Sequence, residues 1–344
     1  MNPQTAKFIS SIPNIIYLTN LSFFSENERE VFLIITKNKK FIITDKRYSD
    51  AVRKYAKDFI LIESGAMNFI TNEAKSFFEK LNIKILEFEE NNLTVFEYKK
   101  LIKTVKMIPL EIDTLRLIKN ENEINSIRKA CGIADSAFEY ILTKIKIGVS
   151  EKQIAEELID YFRKSHADYS FRPIVAFGKN STVPHHEPTN KKLTENQIVL
   201  MDFGVKINNY CSDMTRTVFF GKADEKFKNI YTTVLQAQKN AIENIKLGQK
   251  TSIIDLAARN HIKKHFEDIP HSVGHGIGLE VHEAPNISPN SKDKVQNGMI
   301  FSIEPGIYIR RYGGVRIEDL VLVRSGKAEL ISKAKRGIIA INAK

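Results

Sequence analysis

The stretch HSVGHGIGLEVHE, His271 to Glu283, holds three of the chain's eight histidines. His271, His275 and His282 stand four and then seven residues apart. Imidazoles gathered this closely can ligate a metal or move protons. Gly274, Gly276 and Gly278 run between them. Glycine costs about 1 kcal/mol relative to Ala inside a helix, so an extended segment is expected here. Three imidazoles so spaced do not complete a site, and the remaining ligands must come from elsewhere in the chain.

Two other segments offer carboxylates in matching places. In MDFGVKINNYCSDMTRT, Asp202 and Asp213 flank a turn expected near Ile207-Asn208. In IEPGIYIRRYGGVRIED, Glu304 and Glu318 flank a turn expected near Arg311 to Gly313. Each pair is expected side by side on paired strands. Two such charges ~4 Å apart repel by about 4 kcal/mol at an effective dielectric of ~20. Hard divalent cations turn that repulsion into attraction. Four carboxylates with an imidazole suit a pair of Mn²⁺, Co²⁺, Fe²⁺ or Zn²⁺ ions better than one tetrahedral zinc. Two ions about 3.5 Å apart would bridge a hydroxide and polarise a carbonyl.

The elements that must position these groups repeat. IKIG (Ile145 to Gly148) returns as IKLG (Ile245 to Gly248), HEPTN as HEAPN, and NQIVLMDFG as NGMIFSIEPG. The order is kept and the offsets stay near one hundred residues, as expected of two copies of one helix-helix-strand-hairpin unit. Such copies pack about a pseudo-twofold axis with a site between them, and Asp202 aligns with Glu304. The first copy opens on an apolar stripe, Ile124, Ile127, Cys131, Ala134, Phe138, Ile141 and Ile145, at alternating steps of three and four. Gly148 is expected to cap that helix, and SEKQ (Ser150 to Gln153) to open the next as a capping box.

Before this unit, VFLIITKNKKFIITD (Val31 to Asp45) reads as a hairpin. A helix near Ser49 to Lys57, the run FILIE, a helix near Asn72 to Lys80 and IKILEF follow. The alternation suggests a sheet with covering helices. No histidine falls in this part of the chain.

With 344 residues, two domains are expected. The boundaries are placed at 1–113 and 114–344. Hydrophobic residues at 42% and charged residues at 27% are the balance of a soluble globular protein. No segment reads as a signal peptide or a membrane span. Two cysteines without paired spacing fit a reducing cytoplasm. The net charge of +11 is spread among interleaved acids, so nucleic acid is not an expected partner. His261 and His265 stand i, i+4 but lack the glutamate of HExxH, and they read as surface, as does His166. Arg310-Arg311 reads as an exposed hairpin tip.

Together, MDFG…YCSDMTRT, HSVGHGIGLEVHE, SIEPGIY and GGVRIED resemble the dinuclear metallopeptidases of the pita-bread fold, in the Xaa-Pro aminopeptidase and prolidase branch. ITDKRY (Ile43 to Tyr48) and LRLIKNENEINSIRKA (Leu115 to Ala130) resemble that branch's N-terminal domain and domain junction. The resemblance implies an α+β protein with a creatinase-like α/β domain, then a pita-bread catalytic domain, and commonly a homodimer. It implies Asp202, Asp213, His275, Glu304 and Glu318 as ligands of two divalent ions, with manganese favoured. Asp213 and Glu318 would bridge the ions, and Glu304 would double as the base. His271 and His282 look like the family's non-ligand histidines, which assist proton transfer and steady the tetrahedral intermediate. His185 resembles a substrate-contacting histidine, with His186 a neighbouring alternative. Arg316, grouped with His185 on the substrate side, resembles the arginine beside the bridging glutamate.

The expected substrates are proline-containing peptides. Prolidases restricted to dipeptides often carry an arginine, as in HExPR, to hold the product-side carboxylate. Here the sequence is HEAPN, with Asn286, which favours an aminopeptidase over a dipeptidase, although Arg310 could substitute. More remote readings are an inactive pita-bread binding module and a creatinase-type C–N hydrolase. An intact ligand set argues against both.

Overall fold

The computed structural model describes residues 4–25 and 28–342. The outermost residues of the two expected domains, 1–3 and 343–344, lie outside that set, as does the start of the segment read for a signal peptide. The chain divides into two compact units, Met1–Leu115 and Arg116–Lys344.

The first unit is built on six strands, β1 (Gln4–Ile9), β2 (Val31–Ile35), β3 (Lys40–Thr44), β4 (Ile60–Glu63), β5 (Ile83–Phe88) and β6 (Lys106–Pro109). They lie in the order β4-β3-β2-β1-β5-β6. The expected hairpin is β2–β3, with Leu33 opposite Ile42. Side chains alternate across the sheet. Phe8, Phe32 and Ile43 join one apolar cluster, and Ile9, Leu33 and Ile42 join another, so both faces are covered. Sequence reading passed over β1, the helix Ile12–Thr19, the helix Val95–Leu101 and β6. β6 pairs only with β5 and carries Lys106 and Pro109, which dilute the apolar signal of an edge strand.

The second unit shows the repeat. Its helices are Glu121–Leu142 and Glu151–Lys164 in the first copy, and Glu225–Glu243 and Thr251–Ile262 in the second. Asn120 opens the first helix with a capping box to Glu123, and Ser150 opens the next with Gln153. The predicted stripe from Ile124 to Ile141 is buried. Gly148 does not cap that helix, which ends at Leu142 with Thr143 at its C-cap. Ile145 lies beyond the helix and still plugs the core. Gly148 instead holds φ at +80° in the following turn, and Gly248 holds +78° in the second copy. A left-handed turn of this kind favours glycine. The Gly148 N–H donates to Leu193 O at 2.9 Å and the Gly248 N–H to Val295 O at 2.8 Å.

Each pair of helices packs against its own strands, giving one apolar core per copy. Strand Gln197–Phe203 pairs antiparallel with Met214–Phe220, and Ile300–Ile303 with Asp319–Arg324. Small hairpins intervene, Val205–Ile207 with Tyr210–Cys211 and Gly306–Ile309 with Gly313–Arg316. The first turn sits at Asn208-Asn209, both with positive φ, one residue later than expected. That moves the register by two. Thr215, not Asp213, stands opposite Asp202, and Asp213 lies diagonally, on the same side of the ladder. The second tip carries Arg310 and Arg311 exposed, as read from the sequence.

Candidate active site

Three of the four carboxylates occupy breaks between strands. Asp213 immediately precedes Met214–Phe220, Glu304 follows Ile300–Ile303, and Glu318 separates Gly313–Arg316 from Asp319–Arg324. Asp202 lies within its strand, and His275 is central in the short strand Gly274–Gly276. Asp202, Asp213 and Glu318 are 8%, 5% and 1% exposed. The glycine-rich histidine segment is not helical; it is a strand over Gly274–Gly276 and bends on either side.

These five side chains converge. His275 Nε2 lies 3.3 Å from Glu304 Oε1 and 3.7 Å from Asp213 Oδ2. Ligand atoms of Asp213, His275 and Glu318 all fall within 4.8 Å of one another. His275 Nδ1 donates to Gly276 O at 3.1 Å, which turns Nε2 toward the carboxylates. One oxygen each of Asp202, Asp213 and Glu318 is buried without a hydrogen-bond partner among the described residues.

The electrostatics follow from crowding. Burial pushes the Asp213 and Glu318 carboxyls well up, and neighbouring carboxylates push them further, Glu318 acting on Asp213 and Glu304 on Glu318. Burial also raises Asp202, although the Arg316 charge opposes it. Burial works against the charged form of Glu304 too, but the His275 hydrogen bond and charge outweigh it and hold Glu304 at about 2. The same contact overcomes burial at His275 and lifts it to about 9. Unpartnered buried carboxylate oxygens facing an oriented imidazole fit a divalent metal centre, because cations would satisfy what the protein leaves open.

Arg316 departs from expectation. Its Nη2 donates to Asp202 Oδ2 at 2.5 Å, and it reaches Glu318 only through Thr215. Thr215 Oγ1 accepts from Arg316 Nε at 3.0 Å and donates to Glu318 Oε2 at 2.7 Å. The Arg316 side chain is buried, with donors also directed at Tyr308 Oη and Pro184 O. The two-residue register shift explains this, because it puts Thr215 in the place expected for Asp213.

A cavity of about 920 Å³ opens on the cluster, lined by Phe171, Ile174, Pro184 and Val281 on its apolar side. His185, His271 and His282 also line it. His186 does not. It bonds Glu151 Oε2 at 3.0 Å, which leaves His185 as the histidine at the cavity. His271 has both ring nitrogens engaged. Nδ1 donates to Ser272 O at 2.7 Å, and Nε2 meets Tyr308 Oη at 2.9 Å. Burial lowers the His271 pKa, so the ring is neutral and Nε2 accepts from the tyrosine. His282 forms no hydrogen bond with a described residue, and its ring lies 4.2 Å from that of His275. Asn286 and Asp293 stand on the cavity wall, whereas Arg310 is not among its lining residues.

Tyr308 and Thr215 received no role in the sequence reading. Tyr308 lies inside SIEPGIY, and Thr215 is two residues from Asp213, so strand alternation could have found it. His261 is half-buried on a helix that stops at Ile262, and His265 lies exposed beyond it, so the two do not form an i, i+4 helical pair.

Residues 125–325 match the model of metallopeptidase family M24, and residues 5–118 match the creatinase/prolidase N-terminal domain. The chain belongs to metallopeptidase family M24. Its fold is accordingly α+β, a creatinase-type N-terminal domain followed by a pita-bread catalytic domain. The Xaa-Pro dipeptidase of Pyrococcus furiosus is 40% identical over 248 residues, 71% of each chain. The structure of an Xaa-Pro dipeptidase from Bacillus anthracis superimposes with a TM-score of 0.92 at 35% identity, over 98% of this chain and 95% of that one. An X-Pro aminopeptidase from Thermotoga maritima gives 0.86 at 31% identity, over 98% of both. The protein is thus an M24 metallopeptidase with Xaa-Pro-directed relatives. No helix among the described residues is long and apolar enough to cross a membrane.

Proposed function

We propose that this M24 peptidase is an Xaa-Pro dipeptidase that works with two divalent ions held by Asp202, Asp213, His275, Glu304 and Glu318. The observation that carries the metal chemistry is the buried carboxylate cluster with its unpartnered oxygens. Such ions activate water at neutral pH and polarise the scissile carbonyl. Glu304, whose charged form bound cations would favour, is the group assigned to take the proton. His282, with no hydrogen bond of its own among the described residues, is free to donate to the oxygen on which charge develops. His271 acts through Tyr308 and Arg316, since both its nitrogens are engaged. His185 contacts substrate from the cavity mouth.

The dipeptidase assignment replaces the aminopeptidase expected from HEAPN. The support is the set of relatives, among which the Bacillus anthracis dipeptidase is the nearer of the two structures described above. A second reading, an aminopeptidase accepting longer peptides, keeps one specific observation. The wall bearing Asn286 and Asp293 offers no free cation to a dipeptide carboxylate, and the guanidinium of Arg316 is already engaged. We further propose manganese and a homodimer, carried by the resemblance, and a cytoplasmic location, carried by the two unpaired cysteines. Ala-Pro and Ala-Pro-Ala should be assayed with Mn²⁺, Co²⁺, Fe²⁺ or Zn²⁺ added to chelated enzyme. Cleavage of the dipeptide at least as fast as the tripeptide is expected, with Mn²⁺ or Co²⁺ restoring activity. Hydrolysis of the tripeptide alone selects the second reading, and undiminished activity after chelation defeats both.

A further inference from the structure

The segment RLIKNENE opens the second unit and has no part in the chemistry described so far. Both of its cations are buried. Arg116 and Lys119 have side chains only 3% and 1% exposed. Lys119 Nζ lies 2.7 Å from Glu283 Oε1, and Arg116 Nη1 lies 3.2 Å from Glu283 Oε2. Arg116 Nη2 also reaches Glu280 Oε2 at 2.5 Å. Glu283 is 3% exposed at its side chain, and two cations meet it and its neighbour Glu280. The backbone of Lys119 is fixed as well, since its N–H donates to Gly298 O at 2.9 Å.

Glu283 directly follows His282. It pairs with Gly276 in the strand register, one residue beyond the ligand candidate His275. A Cβ on Gly278 would collide with the Glu283 carboxylate, so glycine there makes room for the carboxylate to turn inward. His282 itself has no hydrogen bond to hold it among the described residues. What fixes it is the His275 ring on one side and the anchored Glu283 backbone on the other.

We infer that Arg116 and Lys119 are positioning residues that hold His282 over the reacting carbonyl by clamping Glu283. The inference rests on the catalytic reading of His282 given above. Two buried cations converge on a single carboxylate, Lys119 by a hydrogen bond and Arg116 by an ion pair, and Lys119 stands 164 residues from Glu283 in sequence. A surface ion pair would have little such effect, but a desolvated pair resists displacement because either partner alone is an uncompensated buried charge.

The test uses the full-length enzyme, with kcat and KM on Ala-Pro, bound metal and melting temperature measured for each variant. Lys119→Met should keep its metal and a KM within about threefold while kcat falls about tenfold or more, since misplacing a reacting group by ~1 Å can cost about 100-fold. Lys119→Arg should restore most of the rate. In a His282→Ala background, Lys119→Met should change kcat less than about twofold, because residues acting through one group are non-additive. In metal-free protein, the amides of residues 280–284 should exchange hydrogen faster in Lys119→Met than in the parent. If Lys119→Met does not fold, Glu280→Gln at the half-exposed end of the cluster takes its place, with the same loss of additivity expected. Equal losses in both backgrounds, or unchanged kcat and exchange in the folded variant, overturn the clamp. Undiminished kcat in His282→Ala overturns the catalytic reading of that histidine, and with it the inference.

Discussion

At the residue scale, the centre is defined by carboxylates that the protein cannot satisfy by itself. Arg316 serves Asp202, and Thr215 serves one oxygen of Glu318, but among the described residues Asp213 has no cationic partner beyond the edge of His275. Asp213 and Glu318 are therefore the residues most dependent on metal. Asp213→Ala and Glu318→Ala should each lose bound metal and reduce kcat by at least about 10²-fold, a loss as large as removing a transition-state donor. His265→Ala, exposed beyond the end of its helix, should leave both unchanged. Metal analysis of the purified variants checks this directly. A His265→Ala protein depleted as deeply as Asp213→Ala would mean that the metal sits elsewhere. The four carboxylate candidates were legible from their matching spacing about two hairpins, and His275 only from the family resemblance of its segment. Tyr308 and Thr215 were not. A hydroxyl in a strand has many ordinary reasons to be there, and only contact geometry distinguishes these two.

At the element scale, spacing alone cannot settle register. A turn displaced by one residue to Asn208-Asn209 moved Asp213 from beside Asp202 to a diagonal position and brought Thr215 opposite. The side of the ladder survived, because side chains alternate with period two and the shift was by two. The loop carrying His185 depends on a different device, a buried glutamate at the start of the helix Glu151–Lys164. Glu151 accepts from Phe177 N, Asn180 Nδ2, Thr189 N and Thr189 Oγ1 at 2.6–3.0 Å and also meets His186. Burial opposes its charged form, but the hydrogen bonds from Thr189 and His186 prevail, and its pKa is lowered from 4.5. A depressed carboxylate contributes stability that is present above its ordinary pKa and is lost as pH falls through the folded value. Glu151→Gln should therefore destabilise the protein at pH 7 by roughly 1–3 kcal/mol, the cost of leaving buried donors unmatched. It should also raise KM by loosening the His185 loop. The gap in melting temperature between wild type and variant should be constant above pH ~5 and close below the ordinary carboxylate range. A gap independent of pH would show that the carboxylate charge is not what holds the loop.

At the scale of the whole catalytic unit, the repeat was readable from three short echoes because each marks a structural necessity. The glycines at 148 and 248 supply the same left-handed turn, and the aligned acids stand near the ends of equivalent strands, Asp202 just inside and Glu304 just beyond. The joint between the copies was not readable, because its two residues stand at equivalent positions but differ in type, Arg216 opposite Met201 and Asp319 opposite Ile303. Arg216 of the first copy is 1% exposed and donates to Asp319 Oδ1 of the second at 2.5 Å. It also donates to the carbonyls of Thr215 and Glu318, the two residues that orient one side of the carboxylate cluster. Gln238, from a second-copy helix, completes the aspartate's partners at 2.9 Å. From the sequence, DMTRT and IEDL show only a cation and an anion roughly one hundred residues apart. Removing one partner strands a charge in the core and should cost about 3–5 kcal/mol, as for other buried pairs. Removing both leaves unsatisfied carbonyls but no stranded charge. Arg216→Met and Asp319→Leu should thus each be strongly destabilising, and the double variant should be more stable than the sum of single effects implies by about 1–3 kcal/mol. Urea unfolding of the four proteins measures the coupling. Strict additivity would mean that Arg216 acts through the carbonyls it binds, so that the two copies are joined by backbone contacts and not by this ion pair.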